Sequence, residues 1–100
     1  MAYGFVMDVP APIEFYDALH AEIGRRGGGD GLLVHLGRPT PDGFQVLEIW
    51  ESKEQCDRFN VEVVEPALDE VSGGQPPSGD SAMVEFEPRG LIVPSAAVAV

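Results

Sequence analysis

The stretch GFQVLEIWESKEQCDRF, residues 43–59, decides how the chain is read. Its first half alternates, with Phe44, Val46, Glu48 and Trp50 on one side and Gln45, Leu47 and Ile49 on the other, which is the period of a strand. At Ser52 the period changes. Ser52 with Gln55 three residues on matches a capping box, and Cys56, Phe59, Val63, Ala67, Leu68 and Val71 supply an apolar stripe at helical spacing. A strand therefore passes almost directly into a helix, which Pro66 is expected to kink because proline lacks the amide proton and crowds the preceding turn.

Working outward from this junction, LLVHLG (32–37) reads as a strand and RPTPDG (38–43) as a turn-rich connector, so the two strands should form a hairpin. Upstream, AYGFVMDV (2–9) alternates and is stopped by Pro10 and Pro12. PIEFYDALHAEIG (12–24) then places Ile13, Tyr16, Leu19 and Ile23 on one helical face. RRGGGDG (25–31) follows that helix and precedes a strand. A dinucleotide fingerprint needs its glycines between strand and helix, so this segment is read as a loop. Downstream, SGGQPPSGDS (72–81) reads as a loop and AMVEFEP (82–88) as a fourth strand. The tail GLIVPSAAVAV (90–100) is apolar but broken by Pro94, and is expected to pair along a sheet edge or reach a second subunit.

The resulting order, βαββαβ, predicts an α+β ferredoxin-like antiparallel sheet with two helices on one face, as one domain over 1–100 with a core at about 3–88 and an extension at 89–100. Both sides of the alternating strands carry apolar residues. The reading assigns Leu47 and Ile49 to the helix side, and Phe44, Val46, Glu48 and Trp50, with Tyr3, Phe5, Met7, Leu33 and His35, to the opposite face. An apolar sheet face left uncovered marks an interface, and pairing two sheets face to face would bury it.

Composition narrows the partners. With 17 Asp and Glu against 6 Lys and Arg, the net charge of -11 repels phosphate backbones and anionic lipid, so neither nucleic acid nor membrane is expected. The same charge also simply favours solubility. One cysteine, Cys56, excludes an internal disulfide and suits a reducing cytoplasm. At 100 residues, 44% of them hydrophobic, a packed core is expected, and a chain this size gains from dimerising.

GLLVHLGRPTPDGFQVLEIWESKEQCDRF (31–59), with VEPALDEV (64–71) after it, resembles the dimeric α/β-barrel superfamily, and particularly its antibiotic-biosynthesis-monooxygenase-like branch. The resemblance spans about residues 3–88. It implies a homodimer whose two sheets enclose a barrel, with a ligand space between sheet and helices or in the barrel mouth. The superfamily includes cofactor-independent oxygenases, haem-degrading enzymes and isomerases, so the resemblance specifies fold more closely than reaction. The tail continues beyond the usual final strand.

His35 and Glu48 are the candidate catalytic pair. A hairpin would bring them together, and a carboxylate beside an imidazole orients the ring as a base for a phenol or quinol. Tyr3, Phe5, Tyr16, Phe44 and Trp50 are candidate walls for a flat aromatic or polyketide-like ligand, although each also fits as core or dimer packing. Cys56 reads as an inert core thiol against the possibility of activation at a helix start. His20 reads as a boundary residue and, with His35 alone, makes no metal site. No P-loop or nucleophile elbow is present. The expected function is binding of a small apolar or aromatic metabolite by a homodimer, as a monooxygenase needing no cofactor or metal. The alternative is a non-catalytic ligand-binding or structural dimer.

Overall fold

The computed structural model describes residues 2–73, 81–93 and 98–99. Strand β1 (Tyr3–Val9) leads into helix α1 (Ile13–Arg26), followed by β2 (Leu32–Thr40) and β3 (Gly43–Trp50). A second helical run comprises α2 (Lys53–Phe59), a π-helical segment (Asn60–Val64) and α3 (Glu65–Ser72), and β4 (Ala82–Phe86) closes the sheet. The four strands are antiparallel in the order β2-β3-β1-β4, the ferredoxin-like arrangement expected from the sequence. Of the loop at 72–81, residues 74–80 lie outside the described ones. Among the described residues the tail does not join this sheet: β5 (Ile92–Val93) pairs with β6 (Val98–Ala99) as a separate two-stranded unit.

The helix signals read from the sequence act locally. Ser52 Oγ accepts the Gln55 backbone N–H at 3.2 Å, which is half of the expected capping box. The other half differs, because the Ser52 hydroxyl donates to the Gln55 side-chain oxygen at 2.8 Å. Helix α1 runs past Gly24 to Arg26 and ends at Gly27, whose positive φ of 76° suits a residue without Cβ, with its N–H bonded to Ile23 O at 3.1 Å. Pro66 produces a wider turn rather than a simple kink. Just before it the Glu65 N–H reaches back five residues to Asn60 O, inserting a π turn where proline interrupts the α ladder.

The faces of the sheet correct the sequence reading. Register places Tyr3, Phe5 and Met7 with Phe44, Val46, Glu48 and Trp50, as expected, and adds Val9, but this set faces the helices. Leu47 and Ile49, with Val6, Val34, Leu36, Val84 and Phe86, form the opposite face instead. Alternation separates the two sets without saying which is covered. The bulk decides it: Trp50 is 0% exposed in a cluster with Phe5, Phe44, Val46 and Cys56. Burying about 200 Å² of apolar side chain at about 25 cal/mol per Å² favours folding by roughly 5 kcal/mol before entropy, so the larger aromatics go to the helix layer.

Strand β2 carries an irregularity. Leu32 stands opposite Trp50 and Val34 opposite Ile49, so Leu33 is an extra residue in a β-bulge, and pairing resumes with His35 opposite Glu48. Leu32 rather than Leu33 therefore joins His35 on the helix-facing side.

Candidate functional site

Between the sheet and the helices lies a cavity of about 400 Å³, within the range of small-molecule sites. Phe5, Met7, Val9, Phe44 and Val46 form its floor, and Phe15, Leu19 and Ile23 of α1 form one wall. Phe59, Val64 and Leu68 close the far wall. The spacing of that last trio reflects the π turn: its added residue brings Val64, rather than Val63, into line one turn after Phe59.

This apolar space has one polar corner, and its parts interlock. Trp50 Nε1 donates to Glu48 Oε1 at 2.9 Å, and His35 Nδ1 lies 2.7 Å from Glu48 Oε2. His35 Nε2 lies 2.8 Å from the Tyr16 hydroxyl. An indole can only donate, so Glu48 accepts on Oε1, and as a carboxylate it accepts on Oε2 as well. That assigns the neutral ring's proton to Nδ1 and its lone pair to Nε2, where the Tyr16 O–H donates. Two charge-assisted bonds compensate the removal of Glu48, 12% exposed, from water. Among the described residues no buried side-chain N or O atom lacks a partner.

The aromatic rings around this corner are stacked. The Tyr16 ring lies 5.9 Å from that of His35 at 7° between planes, and the His20 ring lies 5.6 Å from Tyr16 and 5.3 Å from His35. Burial, then the Glu48 charge, then Asp17 hold the Tyr16 phenol above its usual range, so Tyr16 stays protonated at neutral pH. Cys56 of α2 packs in the core cluster with Phe5 and Trp50, 2% exposed. Burial, then the charges of Glu48 and Asp57, push its thiol from 9.0 up to about 11, in keeping with the inert reading.

The structure thus brings together His35, Glu48 and Tyr16 at one corner, with Phe5 and Phe44 on the cavity floor. Trp50 does not line the cavity. It braces Glu48 from within the core. Tyr3 also lies away from it, at the end of the sheet, where its hydroxyl donates to Glu85 at 2.6 Å beneath Lys53. The residue missed by sequence reading is His20, which lines the cavity. Its position four residues after Tyr16 on an amphipathic helix was the available signal, since that spacing shares a face. Among the described residues, no group of three His, Cys, Asp or Glu side chains is placed to hold a metal ion. No helix of the described residues is long and apolar enough to cross a membrane.

Several solved structures share this architecture. A conserved protein from Methanosarcina mazei superposes with a TM-score of 0.68 at 12% identity, over 89% of this chain and 94% of that one. A protein from Chloroflexus aurantiacus assigned to the antibiotic biosynthesis monooxygenases gives 0.67 at 22% identity, over 93% and 98%. A variant of SnoaB, a cofactor-independent oxygenase from Streptomyces nogalater, gives 0.61 at 16% identity, over 93% and 97%. No protein-family model matches the chain, and no curated protein does. The chain has the ferredoxin-like α+β fold that antibiotic biosynthesis monooxygenase-like structures share. At these identities the likeness concerns the fold.

Proposed function

We propose that the protein binds a small, flat, largely apolar metabolite in the sheet–helix cavity and acts on it as a cofactor-independent monooxygenase. His35 serves as the base and Glu48 as its orienting partner. The observation that carries this reading is His35 held at the wall of an apolar cavity with Nδ1 on a largely buried carboxylate, which fixes its tautomer and orients the ring. Phe5, Phe44 and Tyr16 position the ring of a phenol or quinol, while Trp50 acts indirectly through Glu48. Removing a proton leaves a substrate anion that gives electrons to O₂. One oxygen atom is retained as a quinone carbonyl and the other leaves in water. The naming of SnoaB as a cofactor-independent oxygenase supports this chemistry for the fold.

The active species in this reading is a homodimer joined through the open sheet face, where Leu36, Val84 and Phe86 are 46%, 66% and 37% exposed. Oxygen uptake with hydroxylated polycyclic aromatics is the test of activity. His35→Ala is expected to lower turnover by roughly 10²- to 10⁴-fold, the usual worth of general-base catalysis. Undiminished turnover would remove His35 from the role.

A second reading, a non-catalytic ligand-binding or structural dimer, is favoured by one observation: both nitrogens of His35 already have partners. The two part on pH dependence. Catalysis through His35 predicts that turnover itself depends on pH and that His35→Ala removes the dependence, whereas a structural network changes only stability or association with pH.

A further inference from the structure

The saturation of His35 that favours the structural reading also says how a base there would have to work. Nδ1 is committed to Glu48 and Nε2 to Tyr16, so no nitrogen of this ring is free to meet a ligand directly. The hydroxyl of Tyr16 stands on the route to Nε2, and it holds a second lone pair. We propose that Tyr16 receives the proton of a bound phenol or enol while passing its own to His35, and that Gly37 is the positioning residue that keeps the Tyr16 ring in place for this relay.

The role of Gly37 follows from space. It lies in β2 opposite Val46, on the helix-facing side and two residues after His35. A Cβ built there would meet Tyr16 Cζ at 2.5 Å, Cε1 at 2.6 Å and the hydroxyl oxygen at 2.9 Å. The ring thus occupies the volume that a side chain at position 37 would fill. Nothing about the backbone demands glycine, since Gly37 is not among the residues with positive φ. Alanine fits an extended strand, so the consequence of substitution is a displaced Tyr16 ring rather than a strained strand.

The relay balances. The substrate O–H bond breaks and its proton goes to the Tyr16 oxygen. The Tyr16 O–H bond breaks in turn and that proton goes to Nε2, leaving a substrate oxyanion and an imidazolium paired with Glu48. Afterwards His35 donates on both nitrogens and Tyr16 accepts, so the same hydrogen bonds persist with direction reversed. The titratable groups around the Tyr16 oxygen are His35 and Glu48 from the sheet and Asp17 and His20 from its own helix. The second helical run contributes the apolar Phe59, Val64 and Leu68. Burial holds the Tyr16 phenol high, which suits a group that relays a proton without keeping a charge.

This inference rests on the proposed phenol site, and the experiment separates the two. 4-Nitrophenol, which changes colour when it ionises, is titrated against wild type, Tyr16→Phe, Gly37→Ala, the double variant and His35→Ala. The ionised fraction is compared at equal occupancy. The relay predicts that the apparent pKa of the bound probe rises by about one unit, a tenfold change in its ionisation, in Tyr16→Phe and in Gly37→Ala alike. It further predicts that Gly37→Ala adds nothing once the Tyr16 hydroxyl is gone. If only His35→Ala changes the ionisation, or if Gly37→Ala acts equally in the Tyr16→Phe background, the relay is overturned while the base reading stands. A probe that fails to bind wild type, or whose ionisation ignores His35→Ala as well, overturns both.

Discussion

The two faces of the sheet are made of similar apolar material and are put to different uses. On the helix side, Phe5, Phe44, Val46 and Trp50 are buried and enclose one carboxylate, Glu48, whose two oxygens are both engaged. On the other side, Leu36, Val84 and Phe86 lie open with no buried polar group among them. A lone charge on an apolar face is costly, so where one occurs it belongs with its partners in an enclosed space. An apolar face without a charge is equally well covered by helices, by a ligand or by a second sheet. The side bearing the glutamate is therefore the informative one.

Equivalent insults to the two faces should separate them. The largest effect belongs to Glu48→Leu, which leaves the Trp50 and His35 N–H groups without acceptors. A loss of about 2–4 kcal/mol is expected, read from the denaturant midpoint at unchanged slope. A loss below about 0.5 kcal/mol would mean that the network contributes nothing to folding. Gly4→Ala probes the open face, where a Cβ would lie 2.7 Å from the Phe86 ring and 2.8 Å from Ile49 Cδ1. Shifting those side chains should cost about 1–2 kcal/mol, with the cavity corner unchanged in the NMR signals of the His35 ring. If those signals move as far as they do in Glu48→Leu, the two faces are coupled and the contrast fails. The smallest change in chain stability is expected from Leu36→Glu, within about 0.5 kcal/mol as for other exposed sites. On the proposed dimer, native mass spectrometry should nevertheless show two chains for wild type and one for this variant. A mass that is the same for both would remove the open face as the dimer surface.

Much of this was readable from the chain because the signals are short-range. The strand period of residues 43–50, the Ser52 cap and the proline and glycine stops each depend on neighbouring residues, and together they limit the fold to βαββαβ. The pairing of His35 with Glu48 was also accessible, since a hairpin fixes which residues face one another. The side of the sheet they face was not, because alternation is symmetric and the choice depends on which set packs better against α1 and α3. Tyr3 and Trp50 were expected at the cavity on the same pattern, yet one lies at the sheet end and the other behind Glu48. His20 was hidden by its isolation. Its meaning comes from two rings, Tyr16 on its own helix and His35 on a distant strand.

The bulge at Leu33 has a consequence in the arithmetic of insertion and deletion. Leu32 and His35 are three residues apart and point the same way, which a regular strand forbids. Deleting Leu33 while Leu32 keeps its place opposite Trp50 would leave Val34 against Ile49 and His35 against Glu48, so the bulge closes and the polar corner survives. The hairpin would retain its length within one residue and its apolar alternation. Removing Val34 as well would set His35 against Ile49 and turn the imidazole through the sheet to the open face. A related chain can therefore carry either one or two residues between its counterparts of Leu32 and His35 and keep the same corner.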